Sequence, residues 1–122
     1  MKSPYKHKME MRNLIHKTKY SFNGLGTAFK NEGSFRIEVL LAFILIPLSF
    51  YASQSKIELL LMLSAILIVL IVELVNSAIE LTLDRISLSK NNLTKRAKDI
   101  GSAAVFLSLG NLITTWLIII FY

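Results

Sequence analysis

Residues 100–122 run for 23 positions without a single charged side chain. As a helix rising about 1.5 Å per residue, that stretch reaches about 34 Å and crosses a hydrocarbon core of about 30 Å. Two more apolar stretches precede it. Residues 39–55 carry no charge over 17 positions, and Pro47 within them is tolerable because neighbouring helices re-satisfy backbone groups inside a membrane. Residues 59–83 span 25 positions and are apolar apart from Ser64, Glu73, Asn76, Ser77, Glu80 and Thr82. A chain of 122 residues, 53% hydrophobic with a mean hydropathy of +0.54, has too much Leu, Ile and Val to hide inside itself. Lipid or partner subunits must cover the rest. The pattern predicts one all-α membrane domain over residues 1–122, with an N-terminal amphipathic surface helix at about 11–30 and spans at about 35–53, 58–84 and 98–121. The long apolar runs begin only near Val39 and show no small-residue cleavage site, so they are expected to stay in the mature protein.

Before the first span, Met11, Leu14, Ile15, Phe22, Leu25 and Phe29 recur at helical spacing, with Arg12, Lys17, Lys19 and Lys30 between them. This is the pattern of a helix lying in a membrane surface. Gly24 and Gly26 weaken its continuity, and a break is expected near them. Eight of the fourteen Lys and Arg residues precede the first span, five lie at 84–99, and Lys56 alone lies in the short turn between the first two spans. The positive-inside rule then places the N-terminus and the second loop in the cytoplasm and the C-terminus outside. The net charge of +6 reads as attraction to an anionic leaflet rather than to nucleic acid, because the basic residues border apolar segments. With no cysteine and only His7 and His16, thiol chemistry and a histidine metal site are excluded.

Two carboxylates stand where lipid should be. An ionised side chain at mid-membrane costs roughly 2.5 to 3.5 kcal/mol on an insertion scale, so Glu73 demands compensation. Asn76, Ser77, Glu80 and Asp84 follow it at steps of 3, 4, 7 and 11, which places all five on one helical face. Measured from Leu59, Glu73 lies about 21 Å and Glu80 about 31 Å along the span. Glu80 therefore meets the cytoplasmic interface while Glu73 stays two turns deeper. Asn31, Glu32, Arg36 and Glu38 reach the same level from the first span, and Lys98, Asp99 and Ser102 from the third. Acids and a lysine converging there suit a magnesium–phosphate substrate. No Walker, dinucleotide-binding or protein-kinase motif is present.

The stretch VELVNSAIE (residues 72–80), the following Asp84 and Arg85, and RAKDIGSAAV (residues 96–105) resemble the prokaryotic diacylglycerol kinase family, and YSFNGL (20–25) and NEGSFRIE (31–38) extend the likeness over nearly the whole chain to Trp116. RAKDIGSAAV is closer to these kinases than to the undecaprenol kinases of the same fold. The resemblance implies a homotrimer in the bacterial inner membrane, with active sites shared between subunits at the cytoplasmic face. It also implies transfer of the ATP γ-phosphate to diacylglycerol, giving phosphatidic acid. By position, Glu73 matches the general base, and Glu32 and Glu80 match the ligands of the cofactor Mg2+ and contact ATP. Further ATP contacts carry over to Tyr20, Ser89, Lys90, Asn91, Lys98 and Asp99. Lipid contacts carry over to Lys17, Thr18, Lys19, Tyr20, Ser21 and Phe22, to Ser34, Phe35, Arg36, Ile37 and Glu38, and to Glu73, Ser102 and Trp116. Asn13, beside Arg12, stands where the family usually has an arginine touching both substrates, and the second loop reads SLSKNN where an acidic stretch with histidine is common.

The expected chemistry is in-line phosphoryl transfer, with Glu73 taking the proton of the lipid hydroxyl, Lys98 stabilising charge, and Asn76, Ser77 and Asp84 supporting the site. Two alternatives are an undecaprenol kinase and, from a different class, a small proton-coupled transporter using Glu73 as its proton site. A transporter has no need of Glu32, Glu80, Lys98 and Asp99 at one interface.

Overall fold

The computed structural model describes residues 4–86 and 91–122. It contains four helices, α1 (Pro4–Asn31), α2 (Gly33–Ala52), α3 (Lys56–Ile86) and α4 (Asn92–Phe121), and no strand among the described residues. Helices α2, α3 and α4 are each long and apolar enough to cross a membrane. The 20 residues of α2 reach about 30 Å, one hydrocarbon thickness, whereas the 31 of α3 and 30 of α4 reach about 45 Å. Most charged side chains of the two long helices gather at the end of α3 (Asp84, Arg85) and the start of α4 (Lys95, Arg96, Lys98, Asp99).

Helix α1 runs unbroken through Gly24 and Gly26, contrary to the expected break. A glycine costs only about 1 kcal/mol against alanine in a helix, which one 28-residue element absorbs. The chain turns instead at Glu32, the single extended residue (φ −107°, ψ 106°) between α1 and α2. At the other end of α2, Ser53, Gln54 and Ser55 make a tight return into α3. There Ser55 Oγ accepts from the Glu58 N–H (3.1 Å) and Glu58 Oε2 accepts from the Gln54 N–H (2.6 Å), so serine and glutamate satisfy orphan donors at the start of α3 as in a capping box. Helix α4 opens with Asn91 Oδ1 accepting from the Thr94 N–H at 2.8 Å. Pro47 lies inside α2 without ending it.

Helix α3 is the centre. Its buried residues are Met62, Ala65, Ile66, Val69, Glu73, Asn76 and Ser77, one stripe at steps of three and four. Small residues let the neighbours approach it: Ala42 and Ser49 follow the buried Phe35 at intervals of seven on α2, and Gly101 and Ser108 stand seven apart on α4. Asn76 lies against Gly101 and Asp84 against Lys98, so α3 and α4 are antiparallel. The opposite face of α4 is bare: Phe106 and Leu107 are 75% and 71% exposed. The first half of the α3 stripe is apolar, and the second half is Glu73, Asn76 and Ser77.

Candidate functional site

The packing stripe of α3 becomes polar in its second half, beside the cavity that α3 and the end of α1 line together. Glu73, Asn76 and Ser77 are all buried, and a buried polar group is costly unless it finds a partner. Asn76 Nδ2 donates to Glu80 Oε1 at 3.2 Å, while its Oδ1 is buried without a hydrogen bond and faces Gly101 so closely that a Cβ there would overlap it. The side chain of Asn76 thus joins α4 packing to the carboxylate of Glu80. The charges of Glu80 and Glu32 both reach Glu73, and that of Glu80 reaches Lys98. Four of the five polar residues read from the spacing, Glu73, Asn76, Ser77 and Glu80, lie together along α3. The fifth, Asp84, is exposed and turns to α4, where its Oδ1 accepts from Lys98 Nζ at 2.7 Å.

Between α1 and α3 lies a cavity of about 780 Å³, lined mostly by apolar atoms of Leu25, Ala28, Leu74, Ala78 and Leu81, with Ser21, Asn31, Glu32 and Ser77 at its polar margin. Leu74 and Ser77 are one and four residues from Glu73, so an apolar ligand in this space would present its head beside the carboxylates. Glu38 lines a second, small cavity of about 30 Å³ with Leu41, Ile66, Val69 and Leu112, and its Oε2 is buried without a partner.

Other expected positions fall into two groups. Glu32, Ser21, Lys98 and Glu80 surround the stripe, and Asp99, one residue beyond Lys98, pairs instead with Lys95 (3.0 Å). Lys17, Thr18, Lys19, Tyr20 and Phe22 are exposed on α1; Ser21 Oγ donates to the Lys17 carbonyl at 2.8 Å, and Tyr20 stacks on His16 with ring centroids 6.4 Å apart. Ser34, Ile37 and Ser102 are exposed, but Phe35 is only 3% exposed and belongs to the core. Asn13, 19 residues before Glu32, stands about 28 Å up α1, exposed. Trp116 stands 14 residues beyond Ser102, about 21 Å along α4, with its Nε1 buried and unpaired, so one chain does not bring it to the carboxylates. Asn91 is occupied as the cap of α4. Ser89 and Lys90 lie outside the described residues. Asn23, Thr27 and Gly101 join the site or its cavity with little sequence signal beyond the spacing of Gly101 to Ser108.

Among the described residues no three His, Asp or Glu side chains gather into a metal cage. Glu32 and Glu80 nonetheless fit a magnesium ion brought by a nucleotide. Mg2+ keeps several waters and takes one or two protein carboxylates together with phosphate oxygens.

A sequence model described as prokaryotic diacylglycerol kinase matches residues 19–120. The chain is 49% identical to a diacylglycerol kinase of Haemophilus influenzae, covering 92% of this chain and 95% of that protein. It is 46% identical to one of Pseudomonas aeruginosa, over 93% of each, and 36% identical to one of Escherichia coli K12, over 88% of each. With three apolar helices, a polar face on the middle one and this match over most of its length, the chain belongs to the prokaryotic diacylglycerol kinase family.

Proposed function

We propose that this protein transfers the γ-phosphoryl group of ATP to the free hydroxyl of diacylglycerol, forming phosphatidic acid and ADP at the cytoplasmic face of a bacterial inner membrane. The observation that carries the reading is the burial of Glu73 in the α3 stripe, next to a lipid-sized apolar cavity and below the more open Glu80. A diacylglycerol with its chains in lipid and its hydroxyl at the polar margin of that cavity would be within reach of a general base at Glu73. Glu73 takes the hydroxyl proton as the oxygen attacks the γ-phosphorus and ADP leaves in line. Glu32 and Glu80 would hold the Mg2+ that accompanies the nucleotide and neutralises phosphate charge. Lys98, oriented by Asp84 through one of its three N–H donors, donates another to the transferring group, and Asn76 keeps Glu80 oriented. By the family resemblance, nucleotide contacts fall to Tyr20, to Asp99 and to Asn91, the last through a group other than the Oδ1 that caps α4.

Domain limits, orientation and assembly follow the same reading. One domain spans residues 1–122, the N-terminus is cytoplasmic and the C-terminus outside, since the basic residues concentrate on α1 and around residues 84–99. The bare apolar faces of α4 suit a homotrimer in lipid, in which Asn13 reaches the site of a neighbouring copy and Trp116, deeper in the membrane, contacts the chains of the lipid. The test is the purified protein in lipid with labelled ATP, offered diacylglycerol and undecaprenol side by side. A higher kcat/KM on diacylglycerol is expected; a higher value on undecaprenol moves the protein to the sister activity, and phosphorylation of neither contradicts a kinase.

A further inference from the structure

A helix leaves its last four carbonyls without intrahelical donors. At the end of α1 three of them have partners in the chain, two of them in an unusual way. The Ala28 carbonyl accepts from the Glu32 N–H at 2.8 Å, but the next two accept from one side chain in the following helix: Arg36 Nε donates to the Phe29 carbonyl at 2.9 Å and Arg36 Nη2 to the Lys30 carbonyl at 2.6 Å. The guanidinium also lies 6.0 Å from the centre of the Phe29 ring, and the backbone N–H of Arg36 donates to the Glu32 carbonyl at 3.0 Å. A cation at a helix C-terminus is favoured by the macrodipole, and the planar fork of arginine reaches two carbonyls at once, which lysine does not. Every bond of Arg36 here therefore spans or ends at Glu32, the one extended residue of the elbow.

We infer that Arg36 is a positioning residue that locks the α1–α2 elbow and so holds Glu32, and the cavity under α1, in working register with Glu73 and Glu80. This rests on the assignment of Glu32 as a magnesium ligand. The lever is long: a change of about 10° at Glu32 moves Tyr20, about 18 Å up α1, by about 3 Å. Arg36 is also a carried-over lipid contact, and the two roles make different demands. A guanidinium spent on backbone carbonyls acts through Glu32 on the metal nucleotide; one spent on lipid acts on the diacylglycerol KM.

The test compares Arg36→Lys, Arg36→Gln, Glu32→Gln and the Arg36→Lys/Glu32→Gln double variant in lipid, by magnesium-dependent kinetics and by amide hydrogen exchange of residues 28–36. Loss of the lock is expected to speed exchange at the elbow and to raise the magnesium concentration for half-maximal rate about tenfold, the size typical of losing an outer support of a metal ligand. Arg36→Lys is expected to be milder than Arg36→Gln, with the diacylglycerol KM little changed. In the Glu32→Gln background Arg36→Lys is expected to add no further magnesium effect, since both changes act through one ligand. Unchanged elbow exchange, an additive double variant, or an effect confined to the diacylglycerol KM overturns the proposal. If Glu32→Gln alone leaves the magnesium dependence untouched while the Arg36 variants loosen the elbow, the ligand assignment is what has failed, and the link from Arg36 to the metal falls with it.

Discussion

Gly101 of α4 lies against the Oδ1 of Asn76 on α3, with no room for a Cβ between them, while the Nδ2 of the same amide holds Glu80. A methyl group at position 101 must therefore turn the amide or part the helices. We expect Gly101→Ala to lower kcat by at least tenfold and to destabilise by about 1 to 3 kcal/mol through overpacking. Removing the obstructing amide in Gly101→Ala/Asn76→Ala should return most of the thermal stability without returning activity. Melting curves and steady-state kinetics on both variants check this; equal melting losses in the single and double variants would show that the clash is not with Asn76.

The ion pair of Lys98 with Asp84 is short at 2.7 Å, but its side chains are 40% and 60% exposed. Exposed pairs add little to stability. Asp84→Asn is thus expected to leave the melting temperature within about 2 °C of the parent while changing the KM for ATP several-fold, because Lys98 loses the partner that orients it. A large melting loss with an unchanged KM would make the pair a structural one.

Much of this arrangement was legible in the sequence, and the reasons for the rest are local. Span lengths and the stripe Glu73, Asn76, Ser77, Glu80 follow from helical periodicity alone, because a membrane enforces helix and penalises every stray polar group. The elbow was legible as the boundary between a surface helix ending near residue 30 and a span starting near 35, and the chain turns there, at Glu32; the break expected at glycines 24 and 26 is absent, because a long helix absorbs their cost. The burial of Phe35 depends on tertiary packing that a resemblance-based lipid contact does not register. Neither the pairing of Asp84 with Lys98 nor the approach of Gly101 to Asn76 has a sequence signature, since both need the register of α3 against α4. The separation of Trp116 from Ser102 follows from helical rise once one helix is known to contain both.

The orientation is open to direct labelling, because the chain contains no cysteine. Gln54→Cys, in the α2–α3 turn, should react with an impermeant thiol reagent added to intact cells, and Asn92→Cys, at the start of α4, only after lysis. The reverse pattern would invert the topology.

Glu80 and Glu73 should fail differently when neutralised. Glu80→Gln keeps an oxygen for Asn76 Nδ2 but loses a charged ligand, so weaker binding of magnesium ATP and partial rescue at high magnesium are expected. Calorimetry across a magnesium series checks it; parental binding at low magnesium would remove Glu80 from the ligand set.

The most direct test of the account is the rate at which Glu73→Gln forms labelled phosphatidic acid from diacylglycerol and labelled ATP at saturating magnesium. The amide keeps the shape and lowers the cost of insertion, so the protein should fold. Loss of the base should lower kcat by about 10² to 10⁴. A near-parental rate from Glu73→Gln would contradict the assignment of Glu73 as the group that takes the lipid proton.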